Sequence, residues 1–531
     1  MKPAYLKYSI LLLLTWVCTY SFSQTIYYNT SHEGLYHYLD EMANDGLIEL
    51  NSVVKPYSRA FIASKLKEIF EQQDKLNKRQ KSELDFFLRD FNKELMPNKN
   101  FKKRIDLFYY KDSLFTFSVN PILGSYFFSN KTTNMYQRWV GAEAFATVDN
   151  HWGFYANLRD YVENEAFSSP MYLENRQGFV YKNTTDYSEM RGGVTYTWKW
   201  GNIGFVKDQF VWGNNYNGAN IFSGNIPTVP QLRMKLNPVK WFEFNYIHAW
   251  LVSEVADSSR TYRSFSGNIY PMHPKFLTAN MFTFRPVKKT SLSFGNSIIY
   301  ADYDYPGYMI PTLFYKSVAH TNRNGAGGNE TVNAQLFFDF STRIINHLHL
   351  YTTFYIDELS FSRMFDKDKQ SNYFSYKGGV AVENLPVKNV KFIFEYTRTN
   401  PLTFQHNIVT TTFASNSYNL GHYLRDNAEE FFASVIVKPW STLRLQGKFI
   451  YARKGKEYAG NRAGEEWGQP FIASTDWKNR SVGLSANYQI MNDLYVSLEC
   501  MNSIFAGNSA YTASQFWGHQ STWILGLIYG F

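Results

Sequence analysis

The stretch Ser481-Val-Gly-Leu-Ser-Ala-Asn-Tyr-Gln-Ile490 alternates between two kinds of side chain without a break. In an extended chain, one face carries small and polar residues, and the other carries Val482, Leu484, Ala486, Tyr488 and Ile490. A strand of about ten residues with one apolar and one polar face fits between lipid and a wet lumen. The stretch therefore predicts a strand of a transmembrane β-barrel, and a soluble β-sandwich is the alternative.

The same period of two recurs along the chain from about residue 105. Two further segments show it, with apolar Leu443, Leu445, Phe449 and Tyr451 opposite Thr442, Arg444, Gln446 and Lys448, and apolar Val390, Phe392, Phe394 and Tyr396 opposite Lys391, Glu395 and Thr397. The charged faces predict a polar lumen.

Short polar or proline-containing turns interrupt this region about every 50 residues, and long loops rich in Asn, Gly, Ser and Tyr lie between them. The turns lie near Asp149-Asn150, Lys199 to Asn202, Asn237-Pro238, Arg285-Pro286, Ile345-Asn346, Leu385-Pro386, Lys438-Pro439 and Asn492-Asp493. Eight turns separate nine hairpins, so we expect residues 101–531 to form an antiparallel barrel of about 18 strands, with the short turns in the periplasm.

The last residues agree with this prediction. Trp523, Leu525, Leu527, Tyr529 and Phe531 alternate and finish on an aromatic residue. This is the signal that the outer-membrane barrel assembly machinery reads, so that machinery is an expected partner. A final strand that ends with the chain is also positioned to close on the first strand.

Residues 24–100 have a helical period instead and are expected to form a small periplasmic domain. The spacing of Thr30 and Glu33 predicts a capping box before a first helix that Asn44-Asp45-Gly46 ends. Ser58 predicts the cap of a second helix with Phe61, Ile62, Leu66, Ile69 and Phe70 on one face. A third helix is expected from about Lys78 to Leu95, before Pro97. Phe61, Leu66 and Ile69 should be buried.

The first 23 residues decide the compartment. Lys2 and Lys7 precede the apolar run from Ile10 to Val17, and small residues follow at Ser21 and Ser23. This pattern predicts a signal peptide that is cleaved after Ser23, because the apolar run is shorter than the roughly 20 residues of a spanning helix. After cleavage Cys500 is the one cysteine left, so no internal disulfide is expected.

The composition fits an outer-membrane protein. Aromatic residues make up 18% of the chain, with 40 Tyr and 45 Phe, although the mean hydropathy is −0.37. Barrels combine these properties because rings gather at both membrane interfaces while the lumen and loops stay polar. The formal charge of +9 falls to +7 without Lys2 and Lys7, which favours an anionic partner such as lipopolysaccharide or an acidic polysaccharide. Nucleic acid is a poor partner for an exported chain without a binding motif.

No pattern of an enzyme stands out. His347 and His349 are expected on one strand face and would make a metal pair, but no third ligand is visible. The Gly-rich segment 324–329 lacks a following Gly-Lys-Ser/Thr, so it predicts a flexible loop. No Gly-x-Ser-x-Gly nucleophile elbow is present. We therefore expect neither a catalytic site nor a metal or other cofactor.

Loops with aromatic rings are the better candidates for function. The segment from Trp212 to Gly218 sets rings beside amides, the combination that stacks on and hydrogen bonds to sugars. Positive φ at Gly213, Gly218 and Gly224 would let the loop fold over the lumen. We predict that polysaccharide binding or lumen gating involves Trp212, Asn214, Asn215, Tyr216 and Asn225, with a second ring cluster at Tyr303 and Tyr305; Trp467 and Trp517 lie in later loops. An interfacial aromatic girdle is the alternative.

Several segments resemble the Wzi family of capsule assembly proteins of Gram-negative outer membranes. They include the helical segments 36–50 and 55–66, Gly204 to Asp208, Trp212-Gly213, Gly218, Ile221 to Pro230, Phe294-Gly295, Ile298 to Tyr300, Tyr351, Ile356 to Glu358, Glu395 to Arg398, Pro401, His406 and Leu420 to His422. Each segment is weak alone, but they keep their order over about 400 residues. The Phe- and Tyr-rich strands and the Ser23-Gln24 site resemble members from Bacteroidetes.

This resemblance implies a barrel of 18 strands with an N-terminal helical bundle, in agreement with the turn count. It also implies a lectin-like, non-catalytic role in holding capsular or extracellular polysaccharide at the cell surface. A porin or solute channel is the alternative, because about 18 strands enclose a lumen wide enough to conduct. An outer-membrane enzyme is the third possibility.

Overall fold

The computed structural model describes residues 24–50, 53–95, 105–149, 151–179, 184–265, 267–321, 331–366, 368–369, 371–458 and 467–530. The predicted signal peptide, Pro97, the Gly-rich segment 324–329 and Phe531 lie outside these residues. Among the described residues, no helix combines the length and the hydropathy that a membrane-spanning helix needs.

Within the described residues, eighteen antiparallel strands form one closed barrel. They are β1 (Phe115–Ser129), β2 (Asn134–Val148), β3 (Trp152–Glu163), β4 (Asp186–Trp198), β5 (Gly201–Asp208), β6 (Val229–Val239), β7 (Phe242–Leu251), β8 (Lys275–Phe284), β9 (Thr290–Ala301), β10 (Asn333–Thr342), β11 (Leu348–Glu358), β12 (Tyr373–Glu383), β13 (Val390–Thr399), β14 (Ala428–Trp440), β15 (Leu443–Gly455), β16 (Thr475–Met491), β17 (Leu494–Gly507) and β18 (His519–Tyr529).

The barrel closes between its last and first strands. Trp523 of β18 lies opposite Ser129 of β1, and Tyr529 lies opposite Leu123. The other half of β1 pairs with a short strand, Phe108–Lys111, that shares the same edge. Closure satisfies the backbone hydrogen bonds that lipid cannot, which confirms the predicted transmembrane architecture.

Alternation along the strands separates an apolar outside from a polar inside. Val482 and Leu484 are 50% and 66% exposed on the outer face of β16, whereas Ser481 on the inner face is buried. Trp152, Trp200, Trp241 and Trp440 are exposed beside four of the short turns, where they form a ring belt of the kind that sits at a membrane interface.

The two ends of the barrel differ as the turn count predicts. Short connections join β2–β3, β4–β5, β6–β7, β8–β9, β10–β11, β12–β13, β14–β15 and β16–β17, and we call this end the turn end. The opposite end, the loop end, carries the longer loops. Pro238 and Pro439 lie inside strand ends and not in the turns themselves, at positions where the strand register shifts. A bulge tolerates proline because no ladder hydrogen bond is needed there.

Three helices pack together at the turn end: α1 (Glu33–Asn44), α2 (Arg59–Phe70) and α3 (Lys78–Leu95). Their shared core includes Leu39, Leu66, Ile69 and Phe91, all of which are buried, whereas Phe61 is only partly buried. A fourth helix, α4 (Tyr315–Thr321), lies in the loop between β9 and β10.

The helix caps confirm one prediction and correct another. The Oγ of Ser58 accepts a hydrogen bond from the backbone N–H of Phe61, 3.2 Å away, as expected for an N-cap. The capping box at Thr30 and Glu33 is wrong, because α1 starts after His32 and has no side-chain cap. Glu33 instead pairs with Arg444 on β15, so a contact with the barrel wall replaces the local cap.

The helices contact the barrel wall at several turns. The hydroxyls of Ser82 and Ser441 are 3.0 Å apart, and the Asn492 amide donates to the carbonyl oxygen of Phe86 at 3.1 Å. His347 belongs to the same contact, since it lies in the β10–β11 turn with φ +69° and its Nδ1 is 2.9 Å from Asp45. The expectation that His347 and His349 share a strand face is therefore wrong.

Candidate functional site

The loop between β5 and β6, residues 209–228, folds into the lumen; we call it the plug loop. Trp212 pairs with Val54 in a two-residue antiparallel ladder, and the backbone N–H of Gly213 donates to the carbonyl oxygen of Val53 at 2.8 Å. A loop from the loop end thus shares backbone hydrogen bonds with the segment that leads into α2. The plug loop, which contains part of the sequence that resembles the Wzi family, therefore lies inside the barrel.

Glycine makes this path possible. Gly213 and Gly218 adopt φ values of +103° and +80°, and Gly224 adopts +75°. Residues with a Cβ avoid this region, so glycine is required where the loop reverses direction.

Carboxylates of the barrel wall hold the plug loop. Asp339 on β10 accepts the backbone N–H of Asn214 at 2.9 Å and its side-chain amide at 2.5 Å. Glu395 on β13 accepts the backbone N–H groups of Tyr216 and Asn217 at 2.7 and 2.8 Å. Each carboxylate accepts two hydrogen bonds from the plug loop, so these contacts fix the backbone of the loop.

Asp40 of α1 joins the helices, the plug loop and the wall. Its carboxylate accepts from the Arg343 guanidinium at 2.6 Å, from the Tyr216 phenol at 2.5 Å and from the Lys391 ammonium. Burial alone would raise the pKa of Asp40, but Lys391 and Arg343 hold that pKa well below its usual range. The carboxylate is therefore ionised, which makes it a strong acceptor for all three donors.

A second buried network fixes α1 and α3 to the wall. Arg79 contacts Glu41 and Glu83, and the Lys438 ammonium lies 3.2 Å from Glu41 and 2.9 Å from Glu83. Burial raises the pKa of Glu41, but Lys438 and Arg79 outweigh it and lower the pKa to about 2. Two acids and two bases compensate each other, as buried charges must.

Apolar packing occupies a further part of the lumen. Trp212 and Phe222 of the plug loop contact Phe337 on β10, and Phe222 stacks on Phe413 from the loop between β13 and β14. These rings are buried within one hydrophobic cluster. Rings from two loops of the loop end therefore pack together inside the barrel.

The structure separates the predicted site residues into two groups. Trp212 and Asn214 are buried in the plug, and Asn215, Tyr216 and Asn225 are half-buried beside a cavity of about 300 Å³. Tyr303 and Tyr305 lie elsewhere, in the loop after β9, where their ring centroids are 6.3 Å apart. Trp212 presents no ring face to solvent, so in this conformation the plug loop is an interior element; whether it binds polysaccharide stays a prediction.

Other rings are exposed at the loop end. Arg398 lies with its guanidinium carbon 3.7 Å from the ring centroid of Phe471, and Arg363 lies 4.0 Å from that of Trp467. Arg398 and Phe471 line an open cavity of about 370 Å³, and Phe365, which is 93% exposed, lies at its edge. We call this surface the loop-end groove; its lining also includes Asn372, Asn400 and Gln469. The sequence indicates only Trp467 of this surface, because the groove assembles from three separate loops.

The described residues contain no group of three or more His, Cys, Asp or Glu that would hold a metal ion. His349 instead lies 2.8 Å from the Ser341 hydroxyl and 3.1 Å from the Tyr216 phenol.

Comparison with known proteins gives a consistent result. A solved structure of Wzi from Escherichia coli, described as a carbohydrate-binding β-barrel of the outer membrane that is involved in group 1 capsule assembly, shares the fold with a TM-score of 0.58 at 12% identity. The match covers 96% of this chain and 100% of that one. Two Pseudomonas aeruginosa structures match less well, each over 78% of this chain. OprD matches over 94% of its own length, with 12% identity and a TM-score of 0.42. OpdK with vanillate matches over 98% of its own length, with 7% identity and a TM-score of 0.44.

A search of curated proteins gave no match. The family model described as capsule assembly protein Wzi matches residues 89–505, which is most of the chain. This match and the closed barrel with its apolar exterior place the protein in the outer membrane. The chain belongs to the Wzi family of capsule assembly proteins.

Proposed function

We propose that this protein attaches capsular or extracellular polysaccharide to the outer surface of the cell, as a lectin-like, non-catalytic barrel. One observation carries the proposal: buried ion pairs and a ring cluster occupy much of the barrel interior, and exposed rings and charged side chains remain at the loop end. The helices would then lie in the periplasm and support the plug from below.

The loop-end groove has the chemistry that a sugar polymer needs. The exposed ring of Phe365 offers a flat apolar face at the groove, and the exposed ring of Phe361 lies four residues away on the same loop; Asn372 and Asn400 line the groove. Arg398 and Arg363 add positive charge, which suits an acidic polymer. Rings of this kind contribute large contact areas at small entropic cost.

The proposal is tested by polysaccharide retention in a strain that lacks the protein. Wild-type protein should restore retention, and Phe361→Ser with Phe365→Ser should lower it, since ring contacts of about 0.5–1.5 kcal/mol each are lost. Tyr262→Ser removes an exposed ring from the loop between β7 and β8 and is the matched control. Immunoblots of outer membranes verify equal amounts.

Three results would contradict parts of the proposal. Full retention without the protein overturns the function. Unchanged retention in the double variant shows that the groove does not bind the polysaccharide. Loss of co-purifying lipopolysaccharide in the same variant shows that the groove binds lipid instead. A large steady conductance of the wild-type protein in planar bilayers favours the channel instead.

A further inference from the structure

The cavity beside the plug loop is lined by a half-buried lysine, Lys55. The cavity measures about 300 Å³ and lies between α1 and the plug loop; Tyr36, Lys55, Tyr57, Asn215, Tyr216 and Arg343 line it. Near the loop end it reaches Asn225, whose amide donates to the side chain of the exposed Asn175 at 3.0 Å. We call it the lumen cavity. These two amides form the boundary of the lumen cavity toward the loop end.

Lys55 is the unusual residue of the lumen cavity. In the part of the chain that the structure describes, its ammonium has neither a carboxylate within 4.0 Å nor a hydrogen-bond partner, and its contact is the Tyr36 ring, 5.9 Å from the centroid. Burial lowers the pKa of Lys55, as expected for an ammonium removed from water. Lys55 is half-buried, and an ammonium that is partly removed from water without a counterion favours an anion that arrives from outside.

The neighbouring charges are already compensated. Asp40 pairs with Arg343 and Lys391, and Lys391 also lies 3.2 Å from Glu383. Glu33 at the other side of the cavity pairs with Arg444. Arg343, the other lysine or arginine of the cavity lining, therefore already has a carboxylate partner, whereas Lys55 has none among the described residues.

We propose that the lumen cavity binds an acidic sugar residue through a carboxylate that pairs with Lys55. A carboxylate monoanion matches the single charge of the Lys55 ammonium better than a phosphate dianion does. The cavity volume is at the lower end of the range for ligand sites, about 300–1,000 Å³, which suits one sugar unit. Tyr36 and Tyr57 stack with ring centroids 5.4 Å apart along one side, and Asn215 and Asn225 supply amide groups for hydroxyls. This inference rests on the proposed function, since a bound polysaccharide would supply the sugar.

Isothermal titration calorimetry on the full-length protein in detergent tests the inference, with galacturonate as the probe and galactose as its uncharged counterpart. Galacturonate should bind the wild type, and added salt should weaken it. Lys55→Met should bind about tenfold more weakly, the effect of losing one charge-assisted contact, whereas Lys55→Arg should keep most of the affinity. Lys240→Met, at an exposed turn-end lysine, is the control and should bind as the wild type does.

Thermal unfolding provides a second readout. Galacturonate should raise the Tm of the wild type and leave that of Lys55→Met unchanged, because a ligand stabilises only the state that binds it. Equal binding of galactose and galacturonate by the wild type overturns the inference without any variant, and so does undiminished galacturonate binding by Lys55→Met. Galacturonate binding and cell-surface retention are measured separately. If the wild type does not bind galacturonate but still retains polysaccharide, the inference fails and the proposed function stands.

Discussion

The phenol of Tyr216 donates a hydrogen bond of 2.5 Å to the carboxylate of Asp40, and this contact joins a loop from one end of the barrel to a helix at the other. Burial of Tyr216 raises its pKa to well above the normal value, so the phenol remains protonated and able to donate. The plug is thus held by polar contacts at its tip as well as by ring packing near Trp212. Closure of the lumen depends on both ends of the molecule at once.

Replacing Tyr216 by Phe should weaken the plug without unfolding the barrel. The variant loses one hydrogen bond to a charged acceptor, while Asp40 keeps Arg343 and Lys391, so we expect a loss of about 1.5–3 kcal/mol in unfolding free energy. Urea unfolding of the detergent-solubilised protein measures it. Tyr303→Phe, which removes an exposed phenol, should change little. Equal midpoints for both variants would refute a role for the Tyr216 hydroxyl.

Replacing Glu395 by Gln should release the plug loop more strongly. The neutral amide is a weaker acceptor for the N–H groups of Tyr216 and Asn217, and the ammonium of Lys377, 3.3 Å from Glu395, loses its counterion. We expect bilayer conductance to rise. Adding Lys377→Met should restore part of the lost stability, because it removes the unpaired charge. A double variant less stable than the Glu395→Gln variant would contradict this account.

Acid should detach the helices from the wall before the strands separate. The pKa of Glu41 falls on folding from its ordinary value to about 2, so its ion pairs with Lys438 and Arg79 stabilise the fold above the unfolded pKa and lose that effect as pH falls toward 2. Protease sensitivity of residues 25–95 should therefore increase between about pH 4.5 and pH 2. Glu41→Gln should be equally sensitive at pH 7. Acid-independent protection of the helices would show that these pairs do not hold them.

The two ends of the barrel should differ in access from outside the cell. In a Cys500→Ser background, Ser259→Cys at the loop end should react with an impermeant maleimide on intact cells, and Asn237→Cys at the turn end should not. Both positions are exposed in the fold, so a difference reports sidedness and not burial. Labelling of Asn237→Cys alone would invert the topology.

Much of the barrel could be predicted from the sequence because the forces that shape strands act locally. Lipid on one side and a polar lumen on the other impose a period of two, so the inward positions of Lys391 and Glu395 followed from their neighbours. The turn residues set the strand count for the same reason. Ser58 was also predictable as a cap, whereas Glu33 was not, since its partner Arg444 is 411 residues away.

The site was predicted only in part. Its glycines and rings marked the plug loop, but the carboxylates that hold it, Asp339 and Glu395, come from strands far along the chain. Charged residues at inward positions were the available signal, and alternation alone cannot say what they face. The lack of a carboxylate within 4.0 Å of Lys55 among the described residues is likewise a property of tertiary packing, and no local sequence pattern indicates it.

Trp212→Ala combined with Tyr216→Ala distinguishes a plug from a sugar-binding loop. Trp212 is 1% exposed and packs on Phe222 and Phe337, so its removal opens space inside the lumen and leaves the loop-end groove untouched. Replacing a buried ring of this size by Ala typically costs about 3–5 kcal/mol, which the closed barrel should tolerate while the plug loosens. We therefore expect higher conductance in planar bilayers and faster entry of large antibiotics, with polysaccharide retention unchanged. The Phe361→Ser, Phe365→Ser variant should show the reverse pattern, with low retention and a closed lumen. Shedding of polysaccharide by the plug variant, at wild-type amounts in the membrane, would instead place the attachment site on the plug loop.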